Sequence, residues 1–216
     1  MKIISFIVII IFIALPAHVK AQDQQNIYSI QIDLWKNELI VMKNNHKFGT
    51  FPIAPGRDNS PTPIGTYKVV EKSKSWGGGF GTRWLGLNVP WGKYGMHGTN
   101  KPKLIGKKVS GGCIRMRNQD VESLYEIIPE GTVVRIGGPV TGFGQGELKN
   151  ISLGSKGNLV LIVQSRLKAM GIYNGSINGI YDIHTKMAVE KLQKAYSLPL
   201  TGGISIREYR ILGLLE

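Results

Sequence analysis

The single cysteine of this 216-residue chain, Cys113, sits in Ser110-Gly111-Gly112-Cys113-Ile114-Arg115-Met116, with His97 upstream in Gly95-Met96-His97-Gly98-Thr99. Acyl transfer by a thiol needs the thiolate, and a nearby imidazole can take the proton. His97 is the favoured partner: His18 falls in an apolar N-terminal segment, and His46 and His184 have polar, loop-like neighbours. Gly111 and Gly112 let the backbone turn tightly ahead of the sulfur, so that N–H groups of Gly111, Gly112 and Cys113 can point at a developing oxyanion. The same residue types also serve as a buried small apolar cysteine, a structural histidine and turn glycines. Residue types alone leave both readings open. One cysteine and scattered histidines lack zinc-ligand spacing, so no metal and no cofactor is expected.

Positioning these groups falls to a β-rich region over residues 27–136. Ile30, Ile32 and Leu34 alternate with polar neighbours, Leu39 to Met42 form a second apolar run, and Lys36-Asn37 between them suits a hairpin turn. Phe51 to Ala54, Gly65 to Val70, Trp84 to Val89 and Thr132 to Ile136 are further expected strands, broken by a loop holding Pro55, Gly56, Pro61 and Pro63. One helix interrupts them, with Asn118 as expected N-cap, Val121, Leu124 and Ile128 as its apolar face and Pro129 as its stop. Trp76, Trp84, Trp91 and Tyr94 surround the glycine-rich stretch 77–81 and suit either a groove wall or a β core.

Residues 138–150 are glycine-rich and read as a linker. Beyond them the period becomes helical. Val160, Val163, Leu167 and Met170 mark one helix, closed by Gly171; Val189, Leu192 and Tyr196 mark a second, starting near Asp182 or Thr185. Ser205-Ile206-Arg207-Glu208 has capping-box spacing and opens a third. The expected fold is therefore a mainly β, mixed α/β domain over residues 22–137 and a small all-α three-helix domain over residues 151–216.

The N-terminus carries Lys2, an apolar run from Ile3 to Leu15, Pro16, and small residues before a cleavage point after Ala21. This predicts a signal peptide over residues 1–21, because a thirteen-residue run interrupted only by Ser5 falls short of the about 20 apolar residues that span a bilayer. A secreted, wall-associated protein with no stable membrane span after cleavage is expected. The net charge of +13 suits an anionic wall or membrane face, and the export signal argues against nucleic acid. A lone cysteine in an exported chain forms no internal disulfide and points to a thiol kept for its reactivity.

His97-Gly98-Thr99-Asn100 followed by Ser110-Gly111-Gly112-Cys113-Ile114-Arg115-Met116 resembles the signature of the YkuD-type L,D-transpeptidases. Upstream, Pro61-Thr62-Pro63-Ile64-Gly65-Thr66-Tyr67 resembles the family's Thr-Pro-x-Gly turn and strand. Many members carry His-Gly-Cys where this chain has Gly111-Gly112-Cys113; the departure touches the oxyanion turn and leaves the base assignment intact. The resemblance implies a Cys113 nucleophile attacking a peptidoglycan stem peptide, His97 as base, and the Gly98 carbonyl orienting the imidazole. It also implies expulsion of a terminal D-alanine and resolution of the acyl-enzyme by an acceptor amine. Arg115 suits a substrate carboxylate, and Tyr94, Thr99 and Ser110 are further substrate-binding candidates.

Val163-Gln164-Ser165-Arg166-Leu167, Gly171 to Tyr181, Thr185, Ala188-Val189, Gln193, Leu198 and Thr201-Gly202 resemble the peptidoglycan-binding domain type 1. The implied partners are peptidoglycan stem peptides and glycan, and a monomer is expected. An L,D-carboxypeptidase, with water in place of the acceptor, would share the same nucleophile and base. A catalytically silent wall-binding protein is the alternative of another class.

Overall fold

The computed structural model describes residues 27–74, 77–140 and 148–215. The expected signal peptide, Trp76 and the central part of the linker lie outside the described residues.

The opening hairpin forms where alternation predicts it. β1 (Tyr28–Asp33) pairs antiparallel with β2 (Glu38–Lys43), and Asn37 at the turn takes φ 54°. The next strand is longer than expected. β3 (His46–Pro52) starts directly after Asn44 and Asn45, both with positive φ, a conformation asparagine tolerates better than most residues. Its first residues are exposed and polar, so no alternation marked them. Ile53 and Ala54 lie beyond it, in a separate segment beside the cysteine loop.

β4 (Gly65–Ser73) joins the two halves of an eight-stranded sheet of order β3-β2-β1-β8-β4-β5-β6-β7, where β5 is Trp84–Leu87, β6 Tyr94–His97, β7 Ile114–Arg115 and β8 Val133–Gly137. The first residues of β4 pair with β8, the later ones with β5, and its register shifts between Val69 and Glu71. Such a bulge bends a strand, and the sheet curls there. One face carries the apolar core: Ile30, Ile32, Leu39, Val41, Val69, Leu85, Met96, Ile114 and Val134 are all 2% exposed or less.

α1 (Asn118–Ile127) covers that core with Val121 and Leu124, and Ile128 follows at its C-cap. Its N-cap is Arg117 with no side-chain cap bond, which corrects the expectation for Asn118. Asn118 is the first helical residue, and its Oδ1 accepts the backbone N–H of Thr99 instead. A tertiary donor has claimed the oxygen that a local cap would use.

The helical unit comprises α2 (Asn158–Ala169), α3 (Ile183–Ala195) and α4 (Ile206–Ile211) around a second core of Val160, Val163, Leu167, Val189, Leu192 and Tyr209. Asp182 caps α3, and Ser205 with Glu208 forms the capping box that opens α4. Met170 and Tyr196, expected on buried faces, are 40% and 51% exposed. Both are C-cap residues, past the last turn that faces the core.

Two glutamines organise this unit, and periodicity gave no sign of them. Gln164, fully buried, accepts the N–H groups of Asn178 and Gly179 through Oε1, while Nε2 reaches the Ile180 carbonyl and Thr185 Oγ1. Gln193, also fully buried, accepts the N–H of Gly202 and donates towards Thr201, Gly203 and Glu208. Each amide ties a loop to the preceding helix and gives the N–H groups of Asn178, Gly179 and Gly202 an acceptor.

Candidate active site

β6 and β7 run parallel, with Met96 opposite Ile114 and His97 opposite Arg115. Alternation along a strand puts Met96, Ile114 and Met116 into the core, all 0% exposed. It therefore puts Cys113, Arg115 and His97 together on the opposite face. Cys113 immediately precedes β7 and stands beside Gly95, whose backbone N–H donates a hydrogen bond to the sulfur. The far edge of β7 is held by residues 54–57: Ala54 and Arg115 exchange both backbone bonds, and Ser110 N–H donates to Pro55. The cysteine loop is thus clamped on both sides by backbone, independent of its side chains.

His97 is 3% exposed, and its Nδ1 lies 2.6 Å from the Gly98 carbonyl. A carbonyl can only accept, so Nδ1 carries the proton and Nε2 is left as the free base. The ring is flanked by Phe80 and Trp84, with centroids at 4.8 and 5.8 Å. Gly95 makes room for this: a Cβ there would fall 2.6 Å from the Leu85 carbonyl and 2.8 Å from the Trp84 ring. Gly98 is equally constrained, since its Cβ would meet Asn118 Oδ1.

Burial dominates the electrostatics. It holds the His97 imidazole below its ordinary pKa; the Gly98 carbonyl opposes this, and the Arg115 charge adds to it. Burial also pushes the Cys113 thiol up, with the Gly95 bond and Arg115 opposing. Both shifts favour the neutral forms, a thiol on Cys113 and an imidazole on His97. Arg115 Nε is buried without a hydrogen-bond partner, a donor that an incoming carboxylate would satisfy.

The turn before Cys113 divides its glycines sharply. Gly112 has φ +115°, and a Cβ there would lie 2.6 Å from the Tyr94 ring; Gly111 has open space around it. A Cβ in place of the Gly111 hydrogen would therefore meet no neighbour. The N–H of Gly112 donates to Ser110 Oγ at 3.0 Å, and that hydroxyl donates to the Cys113 carbonyl at 2.5 Å. Ser110, named above for substrate, is 1% exposed with its hydroxyl committed inside the loop. Thr99, also named for substrate, is 4% exposed, and its Oγ1 accepts the N–H of Lys101. Tyr94 is half-buried and accepts a hydrogen bond from Trp91.

Asn118, Phe80 and Trp84 are the residues around His97 that sequence reasoning did not assign to the site. Spacing could not have found them: Phe80 and Trp84 meet the His97 ring from the segment 78–80 and from β5, and Asn118 holds the following turn from α1. Among the described residues, no group of three or more His, Cys, Asp or Glu could hold a metal ion.

A family model for the L,D-transpeptidase catalytic domain matches residues 27–136, and one for a peptidoglycan binding domain matches residues 156–208. The Bacillus subtilis protein named for an L,D-transpeptidase, YkuD, is 43% identical over 109 residues, covering 50% of this chain and 65% of that relative. A second Bacillus subtilis protein so named, YqjB, is 39% identical over 115 residues, covering 46% of this chain and 65% of its own length. The chain thus spans less than two thirds of these relatives. L,D-transpeptidase 3 of Mycobacterium tuberculosis has 17% identity, a TM-score of 0.48, and coverage of 52% of this chain and 62% of its own. With its catalytic-domain match spanning half the sequence, the chain belongs to the YkuD L,D-transpeptidase catalytic domain family.

Proposed function

We propose that the protein is a peptidoglycan L,D-transpeptidase that uses Cys113 as nucleophile. The observation that carries this reading is the pairing of His97 with the Gly98 carbonyl. It leaves a basic Nε2 on the sheet face that Cys113 occupies.

Attack on the stem-peptide carbonyl before the terminal D-alanine passes the thiol proton to His97 and forms the C–S bond. Collapse breaks the C–N bond, and the imidazolium returns the proton to the departing amine. An acceptor amine then attacks the thioester, losing its proton to His97, and the departing thiolate takes that proton back from the imidazolium. The N–H groups of Cys113 and Gly111 stabilise the oxyanion, while Gly112 shapes the turn through its positive φ. Arg115, with its unpartnered Nε, takes a substrate carboxylate and lowers the cost of the thiolate. Ser110, Thr99 and Asn118 hold the backbone that positions these groups. The export reading of residues 1–21 and the basic charge of the chain support action at the wall.

The test is mass analysis of products after the chain is incubated with a disaccharide-tetrapeptide and an amine acceptor. A cross-linked product with loss of D-alanine supports the reading. Release of D-alanine without cross-linking at any acceptor concentration would favour carboxypeptidase action, and no release would overturn both.

A further inference from the structure

The helical unit is fixed against the catalytic domain rather than tethered near it. Asn158, the first residue of α2 and 5% exposed, donates from Nδ2 to the Thr62 carbonyl at 3.1 Å. Its Oδ1 accepts the N–H of Ile64, also at 3.1 Å. Both bonds join segments more than ninety residues apart. Beside them Trp91 packs onto Gly179 so closely that a Cβ on that glycine would lie 2.5 Å from the indole. An amide bonded at both ends and an aromatic seated on a glycine make a specific joint, because neither tolerates a change of angle.

This joint leaves a cleft of about 720 Å³, within the size range of small-ligand sites. Asn59, Trp91 and Tyr94 line one side from the catalytic domain, and Lys149 and Lys156 line the other from the helical unit. Both lysines are exposed, and among the described residues no carboxylate pairs with either; Asp58 is the one acidic residue in the lining. Two residues of the lining touch the loop that precedes Cys113. Tyr94 abuts Gly112, and Ser60, also in the lining, donates to the Gly111 carbonyl at 2.9 Å.

We infer that the cleft between the two domains is a binding site for a carboxylate-bearing peptide of the substrate, seated on Lys149 and Lys156 and running past Tyr94 towards Cys113. The inference rests on the transpeptidase reading above. Two lysines supply charge for the peptide's carboxylates, the side-chain amide of Asn59 meets backbone groups, and the Trp91 carbon surface takes apolar side chains. On this view the helical unit is a wall of the substrate site as well as an anchor, and removing it weakens use of soluble substrate too.

The experiment compares the full chain with a K149E/K156E variant and a control, K168E/K194E, which makes the same charge change on exposed lysines outside the cleft lining. Binding of a soluble disaccharide-tripeptide, which lacks the residue to be expelled, is measured by calorimetry. Turnover is measured separately with the disaccharide-tetrapeptide. The cleft variant should bind about tenfold more weakly, the shift expected when two rim charges are reversed. Its KM should rise correspondingly, and alkylation of Cys113 by iodoacetamide should keep its rate. The control should match the original chain. Equal binding by the cleft variant and the original chain overturns the cleft site, as does failure of the original chain to bind the tripeptide. If the original chain binds the tripeptide through the cleft lysines yet never processes the tetrapeptide, the cleft stands and the transpeptidase reading fails.

Discussion

Asn118 Oδ1 accepts the backbone N–H of Thr99 at 3.1 Å, so the first residue of a helix fixes the turn whose Gly98 carbonyl holds the His97 imidazole. Removing the amide strands a partly buried N–H, at a cost of about 1–3 kcal/mol. Asn118→Ala should therefore lower the rate of transfer more than it raises KM, since imidazole orientation matters in the chemical step. Asn118→Asp, which keeps an acceptor, should recover part of the loss. A kcat for Asn118→Ala equal to the original would remove Asn118 from this role.

Cys113→Ser should abolish transfer while the fold survives, because a hydroxyl is not ionised near neutral pH and the imidazole is a weak base for it. Thermal unfolding and intact mass after substrate incubation check both halves. The original protein should show a thioester adduct that the serine variant lacks.

The direction of the two pKa shifts sets a pH profile. A thiol pushed up by burial is mostly protonated at neutral pH, so iodoacetamide alkylation of Cys113 should keep accelerating beyond the ordinary thiol range. Arg115→Ala removes a cation that favours the thiolate and disfavours the imidazolium. The alkylation profile should then move further alkaline, while the His97 pKa should move up towards its ordinary value. An unmoved profile would show that Arg115 does not act on the thiol electrostatically.

Gly112 and Gly111 are adjacent and should respond oppositely. Gly112→Ala faces both a positive φ and the Tyr94 ring, costing about 1–3 kcal/mol in backbone strain before the clash is counted. It should lose most transfer activity. Gly111→Ala meets nothing and should change stability by under about 0.5 kcal/mol. Parallel thermal melts and transfer assays of the two variants decide it.

In the helical unit, Gln164→Leu keeps bulk but leaves the N–H groups of Asn178 and Gly179 without an acceptor. At about 1–3 kcal/mol per buried orphan, this single change should destabilise the helical unit ahead of the catalytic domain. Hydrogen exchange should show early loss of protection across α2 and α3, with the β1–β2 hairpin unaffected.

The sequence by itself carried whatever is local. Alternation in Ile30, Ile32 and Leu34 marked β1, the Ser205 to Glu208 spacing marked a capping box, and Gly111-Gly112 marked a tight turn ahead of Cys113. Each is a property of neighbours in the chain, governed by periodicity and turn chemistry. What only the tertiary structure decided lies between distant segments. Asn118 had a local use as a cap and a distant one at Thr99, and the distant one prevailed because a partly buried N–H costs more to leave unpaired than a helix end open to water. Gln164 and Gln193 entered the sequence reading only as parts of a family pattern, and the folded unit buries them as the amides on which two loops hang. The linker composition suggested two independent bodies, yet Asn158 joins them through Thr62 and Ile64. No local pattern could foresee that joint, because a hydrogen bond across ninety residues exists only once both folded surfaces do.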